Sequence, residues 1–162
     1  MQTKNNITTI IQHLITQHIT ISSAESCSGG LISKMITDVP GCSAIYPGGV
    51  CSYSNEMKIK WLGVKASTLK QYGAVSVETA LEMAQGIRNA TGSDYGISTT
   101  GIAGPGGGSA EKPVGLVYIA VVGPEYQQVE KLPLNPNIQL SRAFIQQQAA
   151  EYAFQMLWQA IQ

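Results

Sequence analysis

The sequence is short of the residues on which several functions depend. Ten basic and ten acidic side chains in 162 residues cancel to a formal net charge of zero, and no Lys/Arg-rich run breaks that balance. A phosphate-backbone partner needs a concentrated positive face, so DNA and RNA are disfavoured. No apolar stretch reaches the roughly 20 residues that span a bilayer. Histidine occurs only at positions 13 and 18, and cysteine only as Cys27, Cys42 and Cys51, with no C-x-x-C pair. A metal centre built on a His/Cys cluster is therefore not expected, nor is a disulfide framework. Unpaired thiols suit a reducing compartment. The opening residues lead into a segment interrupted by Gln12, His13, Gln17 and His18, unlike a secretory apolar core, which leaves the cytoplasm as the default.

What is present suits one domain with a substantial core. Ile7, Ile10, Ile11, Leu14 and Ile15 recur at i, i+3, i+4, i+7 and i+8, which predicts an amphipathic helix over Ile7–Ile15. A short β-branched run, Ile19–Ile21, predicts a strand, and a helix follows over about Gly30–Thr37, stopped by Val39-Pro40-Gly41. Further strands are expected at Gly49–Tyr53, Tyr95–Thr100, Leu116–Val122 and Tyr126–Leu134. Further helices are expected from Ser54 or Asn55 to Leu62, at Ser67–Tyr72, at Ala80–Asn89 and over Ile138–Ile161. Helices and strands alternate without repeat or linker. The class is α/β: a single-domain sheet covered by helices on both faces, three layers in all. Apolar helix surface on a short chain leaves a homodimer open.

The chemistry centres on Ser23 to Leu31, S-A-E-S-C-S-G-G-L. A strand that turns through two glycines into a helix presents backbone N–H groups and hydroxyls at the helix start, a place for a phosphate or for the oxyanion of an attacked carbonyl. Ser26, Cys27 and Ser28 are the candidate nucleophiles, and Glu25 is the sole carboxylate of the turn. Two other segments sit at strand ends by the same reading. One is Tyr53-Ser-Asn-Glu-Met-Lys58; the other is Gly101-Ile-Ala-Gly-Pro-Gly-Gly-Gly-Ser109. Ligands of open α/β sheets gather at the carboxyl ends of strands, so the three segments point to one site.

No histidine lies at a strand end to serve as base, whereas a lysine of lowered pKa can activate a serine. Lys58 in the first turn of a helix would feel the positive end of the helix dipole, which lowers its pKa. Tyr53 would donate a hydrogen bond or relay a proton. The glycine loop is neither a Walker loop nor a dinucleotide fingerprint; it offers an anion nest or a flexible connector. Lys112 and Arg142 are candidate phosphate contacts.

A-E-S-C-S-G-G, Y-S-N-E-x-K, G-A-V-S, G-I-A-G-P-x-G-G-S, E-K-P-V-G and a late arginine, taken in order, resemble the CinA C-terminal domain family over about Ile7 to Leu157. The resemblance implies an amidohydrolase without metal or cofactor, converting nicotinamide mononucleotide and water to nicotinate mononucleotide and ammonia. Ser26 would then be the nucleophile, with Lys58 and Tyr53 as its activating pair. Ser28, Gly29 and Gly30 would hold the oxyanion, Gly101, Ala103 and Gly104 would line the nucleotide pocket, and Arg142 would contact substrate. Gly106 stands where the family usually has Asp, Gln146 where it usually has a second arginine, and Ser28 where many relatives have Thr. Competing expectations are a nucleotide-binding module without turnover, a partner for a CinA-type nucleotide hydrolase, and Cys27 as nucleophile.

Overall fold

The computed structural model describes residues 6–135 and 137–162. Residues 1–5, part of the stretch read above as no secretory leader, lie outside the described set. The chain runs α1 (Ile7–Gln17), β1 (Ile21–Glu25), α2 (Leu31–Thr37), β2 (Gly48–Cys51), α3 (Asn55–Leu62), α4 (Ala66–Tyr72), α5 (Val77–Thr91), β3 (Tyr95–Gly101), β4 (Val117–Gly123), β5 (Tyr126–Lys131) and α6 (Arg142–Ala160). One five-stranded sheet has the order β2-β1-β3-β4-β5. β2, β1 and β3 are mutually parallel, while β4 and β5 run antiparallel to their neighbours. The carboxyl ends of the three parallel strands therefore emerge on one edge.

The two faces are built by alternation along strands that look uniformly apolar. Val117, Ile119 and Val121 of β4 join the large core with Ile145, Ala149, Phe154 and Leu157 of α6 and with Ile10 and Leu14 of α1. Their neighbours Ala120 and Val122 meet Ala80 and Ala84 of α5 on the opposite face. That is the period-2 rule of a strand covered on both sides. The expected three layers, helix on sheet on helix, are those of the structure.

Two glycines set the spacing of the α5 layer. A Cβ on Gly96 of β3 would lie 2.2 Å from the Ala84 carbonyl oxygen, and one on Gly86 would lie 1.9 Å from that of Leu62. Helix α5 thus seats directly on the sheet, and the end of α3 seats directly on α5. The second contact matters most, because α3 carries Lys58.

Several boundaries differ from expectation. β1 spans Ile21–Glu25 rather than 19–21, because Ser22 and Ser23 continue it as fully buried strand residues. Their hydroxyls find partners at Ser93 Oγ (2.6 Å) and Tyr46 Oη (2.8 Å), which removes the cost of burying them in a central strand. β2 stops at Cys51, so Tyr53 lies in the loop beyond it. α6 begins at Arg142 with Ser141 as its cap, its Oγ accepting the Phe144 N–H, four residues later than expected.

Candidate active site

Ser26 leaves β1 immediately, its N–H donating to Thr99 O at 3.0 Å and so extending the parallel pairing by one residue. On the other side Ser52 N–H donates to Glu25 O at 2.9 Å. The ends of β1 and β2 are thereby locked side by side. Ser54 then caps α3, its Oγ accepting the Met57 N–H at 3.2 Å. Lys58, one turn into that helix, folds back over the strand ends. Its Nζ lies 3.0 Å from Ser26 Oγ, 2.7 Å from Ser52 O and 3.4 Å from Tyr53 O.

Lys58 is only 1% exposed, and no carboxylate is among its partners. Burial pulls its pKa down from 10.5 to about 8. The direction matches the sequence expectation, but the leading cause is desolvation rather than the helix dipole. The hydrogen-bond geometry completes the picture. A neutral amine has two N–H groups and one lone pair. Donation to the two carbonyls leaves the lone pair for the Ser26 hydroxyl, which is the arrangement a general base requires.

A cavity of 270 Å³ opens over this pair, lined among others by Ser26, Lys58, Tyr53, Gly101, Ala103, Gly104 and Arg142. This is slightly below the usual range for small-molecule sites. The three strand-end segments do converge. Arg142 fastens the mouth: Nη1 donates to Gly104 O and Nη2 to Tyr53 Oη, both at 2.8 Å. Tyr53 is 62% exposed, and its hydroxyl is held by Arg142 rather than by Ser26 or Lys58. It forms part of the rim, and the expected proton relay through it has no hydrogen bond to follow.

The Ser28-Gly29-Gly30 turn faces the other way. Ser28 Oγ donates to Glu25 Oε2 at 2.7 Å, Gly30 N–H to the same oxygen at 3.0 Å, and Gly29 N–H to Ser26 O at 3.1 Å. None of these three residues lines the cavity. The positive end of α2, expected to be open to an anion, is already filled by the protein's own carboxyl group. At the turn, Cys27, the residue after Ser26, lines the cavity with it.

Cys27 is buried, and burial pushes its thiol up to about 12, so it stays protonated near neutrality. Such a thiol is a poor nucleophile. Lys112 donates to Tyr72 O at 2.7 Å and is outside the cavity, so it braces the glycine loop against the end of α4 instead of reaching a ligand. Among the described residues no three His, Cys, Asp or Glu side chains come together in a metal-binding group. His13 packs edge-on against Trp158, with ring centroids 5.1 Å apart. Gly106 lines the cavity and a Cβ there would meet nothing within 4 Å. One contributor was not visible in the sequence, the anchoring carbonyl of Ser52, which arises from chain packing that no local spacing encodes. Gln146, noted above where the family usually has arginine, donates its Nε2 to Cys27 O at 3.0 Å.

The family model of the CinA C-terminal domain matches residues 3–161. A CinA-like protein of Desulforapulum autotrophicum is 58% identical over 113 residues, 70% of this chain and 27% of that relative. Another CinA-like protein, from Leptospira borgpetersenii, is 59% identical over 108 residues, 67% of this chain and 26% of its own length. The chain thus spans about a third or less of the length of such relatives. Among solved structures, the competence/damage inducible protein CihA from Agrobacterium tumefaciens is 37% identical, with a TM-score of 0.89 and 96% of each chain covered. A CinA superfamily protein from Escherichia coli is 26% identical, with a TM-score of 0.87, covering 99% of this chain and 93% of that one. By sequence and by fold alike, the chain belongs to the CinA C-terminal domain family.

Proposed function

We propose that this domain is an amidohydrolase with a Ser–Lys mechanism, acting on the carboxamide of nicotinamide mononucleotide. The observation that carries the reading is the 3.0 Å approach of a buried, carboxylate-free lysine amine to Ser26 Oγ on the wall of a cavity. The substrate comes from the motif resemblance, and the arginine and glycine segments at the mouth suit the phosphorylated end of such a nucleotide.

In this reading neutral Lys58 takes the Ser26 proton as Oγ attacks the carboxamide carbon. The oxyanion forms beside Cys27, the residue after the nucleophile, which lines the cavity together with Ser26. The C–N bond then breaks, and the ammonium of Lys58 returns its proton to the departing nitrogen, releasing ammonia. Water, deprotonated by the same amine, attacks the ester; as the C–Oγ bond breaks, Lys58 passes that proton to Oγ, and the carboxylic acid departs with Ser26 and Lys58 restored. A positioned base and an oxyanion donor are each worth about two to four orders of magnitude. Arg142, with Tyr53 beside it, binds substrate at the rim and takes no part in proton transfer.

A second reading is favoured by one finding: the curated relatives carry roughly two thirds of their length outside the matched region. The domain would then bind a nucleotide in partnership with another domain or protein, without turnover. A panel of nucleotide amides assayed for ammonia separates the two. Release from nicotinamide mononucleotide, lost in Ser26→Ala, supports the amidase. Binding without release from any member of the panel supports the partner reading.

A further inference from the structure

Glu25, the residue before the nucleophile, is fully buried at the end of β1 and is not used by the chemistry above. Its Oε2 accepts hydrogen bonds from Ser28 Oγ (2.7 Å), Gly30 N–H (3.0 Å) and Ile32 N–H (3.1 Å). Its Oε1 accepts from Ser33 N–H (2.8 Å) and Ser33 Oγ (2.9 Å). Helix α2 has only seven residues, and its cap position is Gly30, which has no side chain to offer. A helix that short does not hold itself in place. The cap is instead supplied from the strand that precedes it.

We propose that Glu25 is the positioning residue of the nucleophile: by gripping the first turn of α2 from the end of β1, it fixes the turn that carries Ser26 and holds the hydroxyl against Lys58. The inference rests on the Ser–Lys reading. Two further contacts favour it over plain helix capping. The Glu25 carbonyl accepts the Ser52 N–H at 2.9 Å, and the Ser52 carbonyl in turn accepts from Lys58 Nζ at 2.7 Å. One residue therefore ties the turn through its side chain and the anchor of the base through its backbone. Glu25 does not touch the reacting atoms.

Fluorophosphonate labelling tests this without any substrate: the Ser26 Oγ–P bond forms, fluoride leaves and the serine proton passes to Lys58. Wild-type protein labels at Ser26 with a rate that climbs through a pH of about 8. Glu25→Gln turns an amide N–H₂ toward donors it cannot accept from, and lowers the plateau about tenfold or more while the midpoint pH stays in place. Ser33→Ala, which removes one donor and no backbone, lowers it about two- to fivefold with the same midpoint. Circular dichroism checks that each variant is folded, and should Glu25→Gln fail to fold, Ser33→Ala decides alone. A folded Glu25→Gln protein with the wild-type plateau, a midpoint that moves while the plateau does not, or Ser33→Ala at the wild-type rate would each overturn the positioning role. Absence of label at Ser26 in the wild type, or Lys58→Met labelling at the wild-type rate, overturns the Ser–Lys reading itself.

Discussion

Glu25 and Lys58 are both buried beside Ser26, and they are provided for in opposite ways. Glu25 has five donors for its two oxygens, three of them backbone N–H groups of a helix start. Lys58 has two carbonyls and a hydroxyl, with no carboxylate among them. A carboxyl group so fully solvated by the protein is a structural fixture. An amine removed from water and given only neutral partners is pushed toward its neutral form, which makes it a base. With a pKa of about 8, roughly a tenth of Lys58 is free base at pH 7, against under a thousandth for an ordinary lysine. The lesson is that burial alone does not create reactivity; the match of charge to partners decides it.

The largest effect expected from breaking this contrast is at the reacting pair. Ser26→Ala and Lys58→Met should each lower ammonia release from nicotinamide mononucleotide by about 10³-fold or more, with nucleotide binding retained in a calorimetric titration. Giving the amine a countercharge is a sharper variant. Ser52 is fully buried near it, and the buried carboxylate of Ser52→Asp should favour the protonated amine through space and shift the rising limb of the pH–rate profile to higher pH.

The next effect is on stability. The folded pKa of Lys58 lies below its unfolded value, so at this group the unfolded chain binds more protons between about pH 8 and 10.5. The Lys58 contribution to stability should therefore rise with pH across that window, against the opposite trend of Cys27, whose folded pKa is raised; the stability of wild type minus that of Lys58→Met, both unfolded in denaturant, should increase from pH 8 to 10.5. Arg142→Ala should raise KM about tenfold, with a smaller change in kcat, because it removes a charge at the mouth and leaves Ser26 and Lys58 in place. The smallest effect is at Cys27. Its thiol is held protonated by burial, so Cys27→Ala should keep activity within about threefold in the same assay.

Much of the site was legible because its partners announce themselves locally. Ser26 follows a strand and precedes a glycine turn, Lys58 follows a helix cap by four residues, and both patterns survive in the structure. The glycine loop and Arg142 could be assigned to the same edge once three strands were taken as parallel. The misreadings concern polar groups whose partners or burial only the folded chain supplies. The expected strand stops at Ile21, because the hydroxyls of Ser22 and Ser23 that continue it are satisfied by Ser93 and Tyr46, far along the chain. Gly29 and Gly30 looked like an open anion site because the carboxyl group that fills it reaches back from the preceding strand. Tyr53 looked like a relay because its hydroxyl's partner, Arg142, is 89 positions away. The dipole of α3 seemed the cause of the lysine's shift, since desolvation is a property of packing and leaves no mark on spacing.

The central claim, that Lys58 is a base made by desolvation, is read most directly by nitrogen NMR of ¹⁵N-lysine protein, with Lys58→Met assigning the Nζ resonance. A titration midpoint of about 8 for Lys58 is the predicted result. A midpoint near the ordinary 10.5 would contradict it and leave Ser26 without a base.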